Sequence, residues 1–112
     1  MRRALWLWAA LLGCSRAPRS AHGPAIFEAR CASCHGADGR GDGLLGRTSV
    51  PPARNFHDPA WQASRTDAQL EDVIRRGGLA VGKSPLMPAS PDLVPSQMAE
   101  LVRFIRAAGR TP

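Results

Sequence analysis

The sequence predicts an all-α domain in which three main helices are joined by loops rich in glycine and proline. Apolar residues recur at helical spacing in three segments, whereas no stretch shows the strict alternation of a half-buried strand. The connecting segments hold most of the 11 glycines and 10 prolines. Residues 23–112 are long enough for one domain, which we take as the folded unit.

The first predicted helix begins at Gly23, because Pro24 suits the first helical position. Ile26, Phe27 and Cys31 continue on a helical period, so the helix is expected to run into the cysteines that follow. The next segment, residues 36–46, is so rich in glycine that no regular element is expected there.

The second predicted helix begins after Thr66, which forms a capping box with Gln69. Its apolar stripe consists of Leu70, Val73 and Ile74. Gly77 and Gly78 predict its end. A loop interrupted by prolines is expected over residues 79–94.

The third predicted helix runs from Pro95 to Ala108 and stops at Gly109. Its apolar face consists of Met98, Leu101, Val102 and Ile105. The arginines expected on its solvent side are Arg103, Arg106 and Arg110.

The sequence Cys31-Ala32-Ser33-Cys34-His35 has the C-x-x-C-H spacing typical of covalent c-type haem attachment. Two thiols three positions apart at a helix end can each add to one vinyl group of the porphyrin. The histidine that follows supplies an imidazole nitrogen to the iron. We therefore predict Cys31, Cys34 and His35 as haem-binding residues, with His35 as an iron ligand.

Three other chemistries use similar cysteine pairs. A redox-active dithiol is expected after a strand, but the segment before Cys31 is predicted to be helical. A zinc site needs four ligands, which here would require His22 and His57. A plain disulfide is the third alternative.

Met87 is the predicted second iron ligand. It lies in a loop between Pro85 and Pro88, whereas Met98 lies on the apolar face of the last helix, where methionine usually fills the core. A thioether ligand opposite histidine raises the reduction potential of haem iron. His57 is the next candidate, and an open iron site is the last.

The N-terminus is predicted to direct export. Arg2 and Arg3 precede an apolar run over residues 4–12 that is too short to remain across a bilayer, so residues 1–13 are typical of a signal peptide. Leu11-Leu12-Gly13-Cys14 resembles a bacterial lipobox, which implies lipidation of Cys14 and a tether over residues 14–22. Ordinary cleavage after Ala21 is the alternative. Either outcome places the protein in the periplasm or at the cell surface of a Gram-negative-type bacterium.

Loss of Arg2 and Arg3 with the signal peptide lowers the formal net charge from +6 to +4. So mild a positive charge does not by itself predict a nucleic-acid-binding protein.

Residues 23 to about 108 resemble the class I c-type cytochromes, in particular the small bacterial proteins with one haem. Gly23 and Phe27 stand eight and four residues before Cys31, as in the N-terminal helix of that family. Phe104 matches the aromatic residue of the C-terminal helix that packs against them. The resemblance implies a cytochrome c fold wrapped around one covalent haem c.

The same resemblance suggests roles for further residues. Pro51-Pro52 lies in a segment similar to the family's loop in which a proline carbonyl accepts the N–H of the histidine ligand, and of the two prolines we name Pro52. Met87-Pro88 matches the family's Met-Pro ligand loop. Arg54 and Trp61 are candidate partners of the haem propionates, with solvent exposure and core burial as their simpler roles.

The predicted function is single-electron transfer in an exported bacterial electron-transport chain, by an electron carrier and not an enzyme. The partners expected are a donor and an acceptor redox protein and, through the lipid anchor, a membrane, but no nucleic acid. Arg75, Arg76 and Lys83 are candidates for steering acidic partners. The alternatives are a haem c subunit of a larger oxidoreductase complex and, if Met87 does not bind iron, a haem-based ligand sensor or haem enzyme. The chain is accordingly expected as a monomer or as a complex subunit.

Lipidation of Cys14 can be tested by mass spectrometry of the mature protein. We expect the N-terminal residue to be Cys14 with a diacylglyceryl mass, and the protein to stay with membranes, because two acyl chains give stable anchoring. The Cys14→Ala variant should lack the lipid. An unmodified N-terminus at residue 22 would contradict the prediction.

Overall fold

The computed structural model describes residues 23–112. The predicted signal peptide, Cys14 and the tether over residues 14–22 lie outside these residues. Within them the fold consists of helices and loops, with no strand. The helices are α1 (Gly23–Arg30), α2 (Ala32–His35), α3 (Leu44–Thr48), α4 (Pro59–Ala63), α5 (Asp67–Arg76) and α6 (Pro95–Ala108). The all-α prediction is thus confirmed.

The three predicted main helices are present as α1, α5 and α6. At the start of α5, Thr66 Oγ1 accepts the Gln69 N–H at 3.1 Å and Gln69 Oε1 accepts the Thr66 N–H at 2.9 Å, which completes the predicted capping box. The helix ends where Gly77 adopts a φ of 82°, a backbone conformation that favours glycine.

The first residue of α6 is Pro95, and its cap is Val94, whose side chain has no hydrogen-bond acceptor. Gln97 compensates, since its Oε1 accepts the Val94 N–H at 3.1 Å. Half of a capping box and a proline at the first position are therefore enough to start this helix.

The helices α1 and α6 cross at very short range. A Cβ atom on Gly23 would overlap the Glu100 carbonyl, so only glycine allows the two backbones to approach this closely. The Gly23 N–H also donates to Glu100 Oε2 at 3.1 Å. Four residues later the rings of Phe27 and Phe104 lie 4.6 Å apart, which confirms the expected aromatic pair.

The core is a single apolar cluster between α1, α5, α6 and the loop around Phe56. Its members are Ile26, Phe27, Phe56, Leu70, Ile74, Leu93, Met98, Leu101, Val102 and Ile105. Met98 is only 1% exposed, in agreement with its predicted role as core filler. Within residues 23–112 no buried side-chain polar atom lacks a hydrogen-bond partner.

The glycine-rich segment contains a helix that the composition did not predict. α3 begins at Leu44, so the expectation of no regular element is wrong for residues 44–46. Two of the glycines allow the backbone of this segment to pack closely against the Cys34 carbonyl, since Cβ atoms on Gly43 or Gly46 would overlap it. α3 thereby packs directly beside the cysteine segment.

Arg106 is another departure from prediction, because its side chain is only 22% exposed. Its guanidinium donates to the carbonyl and the side-chain oxygen of Gln62, both at 2.8 Å, and pairs with Asp67 Oδ1 at 2.8 Å. Gln62 Nε2 in turn donates to the carbonyls of Phe56 and Ile105, each at 2.8 Å. This network joins α4, the start of α5 and α6.

A second ion pair joins the end of α1 to the loop before α6. Arg30 Nη1 and Nη2 each donate to one carboxylate oxygen of Asp92 at 2.7 Å, a bidentate geometry. The guanidinium lowers the pKa of the Asp92 carboxyl to about 2. The pair therefore holds the chain segment that carries Met87 against the segment that carries Cys31.

No helix among residues 23–112 combines the length and apolarity needed to cross a membrane.

Replacing Gly23 by alanine should destabilise the fold by about 1–3 kcal/mol, the usual cost of forcing extra atoms into a close contact. The free energy of unfolding of the haem-loaded protein, measured in denaturant, gives the effect. Glu28→Ala introduces the same residue on the exposed side of α1 and should stay within about 0.5 kcal/mol of wild type. Equal stabilities of the two variants would contradict the close crossing.

Replacing Asp92 by asparagine should lower the thermal midpoint at pH 7, and the difference should shrink as the pH falls. Because the folded-state pKa of about 2 lies below the ordinary 3.8, the carboxylate stabilises the folded state above pH 3.8, and this contribution is lost as the pH falls through about 2. Thermal unfolding at several pH values measures the effect. Glu28→Gln, which removes an exposed carboxylate from α1, is the control, and an unchanged midpoint difference down to pH 2 would exclude the mechanism.

Candidate functional site

The cysteine segment sits at the break between α1 and α2. The Cys31 N–H donates to the Phe27 carbonyl at 2.8 Å, and the His35 N–H donates to the Cys31 carbonyl at 2.9 Å, so the helical course continues almost without interruption. Cys31 and Cys34 are free thiols and half-buried. Burial raises the pKa of the Cys31 thiol to about 11. The two cysteines are not joined by a disulfide and stand three positions apart in the sequence, as thioether formation requires.

His35 is fixed by a backbone carbonyl. Its Nδ1 lies 3.2 Å from the carbonyl oxygen of Arg54, so Nδ1–H is the donor and Nε2 is the nitrogen left for a metal. Burial lowers the pKa of the His35 imidazole, against a smaller opposite effect of the Arg54 hydrogen bond. Burial thus favours the neutral imidazole, which is the form that binds a metal.

The carbonyl bonded to His35 is a correction to the sequence analysis. Pro52 was expected to supply it, but the acceptor is Arg54, two residues later. The Arg54 side chain is exposed, and a propionate as its partner remains a prediction. A role for Arg54 through its carbonyl was not foreseen, because any residue type can supply a carbonyl.

Phe56 is a site residue that the sequence analysis missed. Its ring stacks on the imidazole of His35, with ring centroids 4.6 Å apart and an angle of 20° between the planes. The Phe56 ring also contacts the Trp61 ring, with centroids 5.1 Å apart and an angle of 32° between the planes. A propionate as partner of the Trp61 N–H remains a prediction. One feature of the sequence could have indicated a packing role for Phe56, because it is the only aromatic ring of Phe, Tyr or Trp type between Pro51 and Ala60.

Met87 is held through its backbone. Its carbonyl accepts the Gly78 N–H at 3.0 Å, and its own N–H donates to the Ser84 carbonyl at 3.3 Å. A Cβ atom on Gly77 would stand 3.1 Å from the Met87 carbonyl oxygen, at a residue whose φ of 82° already disfavours a side chain. The loop is therefore folded back onto the end of α5, and the Met87 side chain packs against the same core cluster as Cys31.

His57, the other candidate for the second iron ligand, has both ring nitrogens occupied. Nδ1 lies 2.9 Å from the Thr111 carbonyl oxygen, and Nε2 lies 2.8 Å from the Asp38 carbonyl oxygen. No group of three or more His, Cys, Asp or Glu side chains within residues 23–112 is arranged to hold a metal ion.

The site residues fit a covalent porphyrin on several counts. They offer two free thiols, an imidazole with Nε2 available and a thioether from a separate loop. The segments beside His35 and around Met87 also present large apolar side chains to solvent, from 58% exposed for Leu45 to 87% exposed for Val50. These exposed side chains are Leu44, Leu45, Val50, Leu79 and Leu86. A bound macrocycle would cover apolar surface of this kind, which is otherwise costly to expose.

Comparison with known proteins agrees with this geometry. The family model described as "Cytochrome c" matches residues 20–109 of the chain. No solved structure matches the chain significantly.

Of two curated relatives, one is named as an oxidase subunit and the other as a dehydrogenase. The Cbb3-type cytochrome c oxidase subunit FixP of Azorhizobium caulinodans is 30% identical over 93 residues, which cover 82% of this chain and 28% of that protein. The thiosulfate dehydrogenase of Allochromatium vinosum is 34% identical over 73 residues, which cover 63% of this chain and 25% of that protein. The chain thus spans about a quarter of the length of these relatives.

Proposed function

The chain belongs to the cytochrome c family, and we propose that His35 and Met87 ligate its haem iron for single-electron transfer between redox proteins outside the cytoplasm. Family membership carries with it a covalently bound haem c and haem-based electron transfer. When bound, the haem supplies a one-electron Fe(III)/Fe(II) couple. The protein residues attach the haem, orient it and set its potential.

The orientation of His35 is the observation that supports the ligation most strongly. The Arg54 carbonyl accepts Nδ1–H, which leaves the Nε2 lone pair unprotonated and fixes the tautomer. Cys31 and Cys34, on the preceding turn, supply the two thiols for covalent attachment. Histidine ligation and thioether attachment therefore come from one rigid helical segment.

Met87 is supported as the second ligand by its own setting and by elimination. It lies in a loop that is hydrogen-bonded to Gly78, and it packs against the same core cluster as Cys31, whereas Met98 is 1% exposed within the core. Both ring nitrogens of His57 lie against carbonyl oxygens. A thioether opposite histidine favours Fe(II), so the proposal implies a carrier of fairly high potential.

The charge distribution supports an acidic partner. The segments that contain Arg54 and Met87 hold no acidic residue between Asp42 and Asp58 or between Asp72 and Asp92. They carry five exposed cations, namely Arg47, Arg54, Arg75, Arg76 and Lys83. Arg76 is paired with Asp72 at 3.1 Å. Complementary charge on a partner increases the rate of encounter more than the final affinity.

A subunit of a larger oxidoreductase is the second candidate function. Both relatives are named as oxidoreductases or their subunits, and this chain covers only 28% and 25% of their lengths. The same haem domain would then pass electrons to a neighbouring chain instead of diffusing between partners. Co-purification with a larger complex favours this function, and elution as a free monomer favours the carrier.

We also propose that the protein is exported and anchored through a lipid on Cys14. The proposal rests on the basic start, the short apolar run and the Leu11-Leu12-Gly13-Cys14 sequence. A lipid anchor would keep a small electron carrier close to membrane-bound donors and acceptors.

Variants of Met87 test the ligation. Met87→His should keep the haem attached and six-coordinate but lower its potential markedly, because imidazole stabilises Fe(III) relative to a thioether. Met87→Ala should open the site, so that carbon monoxide binds the reduced protein readily. Redox titration and optical spectra of the purified haem protein measure both effects.

Met98→Leu is the matched control, since it replaces the other methionine among residues 23–112 by a residue of similar volume. It should leave the potential and the carbon monoxide reactivity unchanged and cost less than about 1.5 kcal/mol of stability. The ligation is wrong if Met87→Ala keeps the thioether–iron absorption band while Met98→Leu loses it. Ready carbon monoxide binding by the wild type would favour a ligand sensor or haem enzyme instead.

A further inference from the structure

We propose that Phe56 is a positioning residue that sets the plane of the His35 imidazole, and thereby the electronic state of the haem iron that His35 ligates. This inference rests on the proposed ligation by His35. It concerns a residue that is neither a proposed iron ligand nor a cysteine of the haem-attachment sequence, and it acts through the face of the imidazole ring.

The Arg54 hydrogen bond alone does not fix the imidazole plane. A single acceptor 3.2 Å from Nδ1 anchors one edge of the ring, about which the ring can still tilt. The Phe56 ring lies over the imidazole face at 4.6 Å and 20°, so tilting would bring the two rings into collision. The two contacts together restrain both the direction and the plane of the ligand.

Phe56 is itself unable to move away. It is 6% exposed, and its ring lies so close to Gly39 that a Cβ atom there would stand 3.0 Å from Cδ2. Its backbone is bonded at both ends, because the Phe56 N–H donates to the Gly39 carbonyl at 2.7 Å and the Phe56 carbonyl accepts from Gln62 Nε2 at 2.8 Å. Arg106 holds Gln62 in turn.

The other aromatic neighbour of His35 does not share this role. The centroid of the Phe27 ring lies 6.4 Å from that of the imidazole, with an angle of 48° between the planes. At this distance and tilt, Phe27 does not stack on the imidazole face. Phe27 is also buried, at 1% exposed. Phe27 meets Phe56 edge-on at a centroid distance of 6.1 Å. Both phenylalanines are therefore core residues, and they differ in their contact with the imidazole, whose face Phe56 covers.

If His35 ligates the haem iron, the plane of its imidazole would determine which iron d orbital it overlaps. This orbital order sets the pattern of the four haem methyl resonances in the oxidised protein, and surrounding groups that orient a ligand also tune the metal. Phe56→Leu should change the order or spread of these resonances and shift the midpoint potential. Phe27→Leu should destabilise the protein comparably yet preserve the wild-type resonance order.

Phe56→Tyr, which keeps a stacked ring, should restore the wild-type pattern. If Phe56→Leu does not accumulate, the reduced, diamagnetic wild type provides the test, because ring protons of Phe56 and His35 should show nuclear Overhauser effects at this separation. Identical methyl patterns in Phe56→Leu and wild type, or absence of those Overhauser effects, would overturn the inference.

Failure of the underlying ligation has a different signature. If His35 does not bind iron, the wild-type protein itself lacks the hyperfine-shifted imidazole resonances, whatever residue occupies position 56. If only the positioning role is wrong, the wild type shows these resonances and Phe56→Leu leaves the methyl pattern unchanged.

Discussion

The close crossing of α1 and α6 is the constraint on which the rest of the structure depends. It is possible because Gly23 has no side chain at the contact with the Glu100 carbonyl, and the Phe27–Phe104 pair holds the helices together one turn later. The crossing fixes the direction in which α1 ends, and the thiols and imidazole follow immediately at residues 31–35. A domain of this size has a small core, so a single interface carries much of its stability.

The features that could be predicted from the sequence are those that depend on a few neighbouring residues. The capping box of Thr66 and Gln69 involves only three intervening peptide units, and it starts α5 at the expected place. Pro95 marks the first residue of α6 for the same local reason. The helix α4 was not predicted, although its start is equally local, because Asp58 Oδ1 accepts the Ala60 N–H at 2.9 Å as an N-cap. The C-x-x-C-H spacing is local as well, which is why the thiols and the imidazole could be predicted as site residues without knowledge of the fold.

The features that could not be predicted depend on contacts between distant residues. The carbonyl that accepts the hydrogen bond from His35 belongs to Arg54, because the path of the intervening loop places it there. Every residue type has a backbone carbonyl, so the identity of the residue does not indicate this role. Arg106 lies on the predicted polar side of α6, yet it is mostly buried because oxygens more than 40 positions away converge on its guanidinium. The stacking of Phe56 on His35 likewise joins residues 21 positions apart through a turn at Gly39.

The two sides of the proposed haem site are held by forces of different kinds. His35 belongs to a helical segment fixed by the α1–α6 core and by an aromatic ring packed on its face. Met87 belongs to a loop held by backbone hydrogen bonds to Gly78 and Ser84 and, farther along, by the exposed Arg30–Asp92 pair. Loops with few buried apolar contacts open at lower free energy than core helices. Loss of a ligand is therefore expected first on the Met87 side, with the haem still attached to Cys31 and Cys34. The Arg30–Asp92 pair and the hydrogen bond from the Gly78 N–H to the Met87 carbonyl are accordingly the contacts on which the position of the Met87 loop depends.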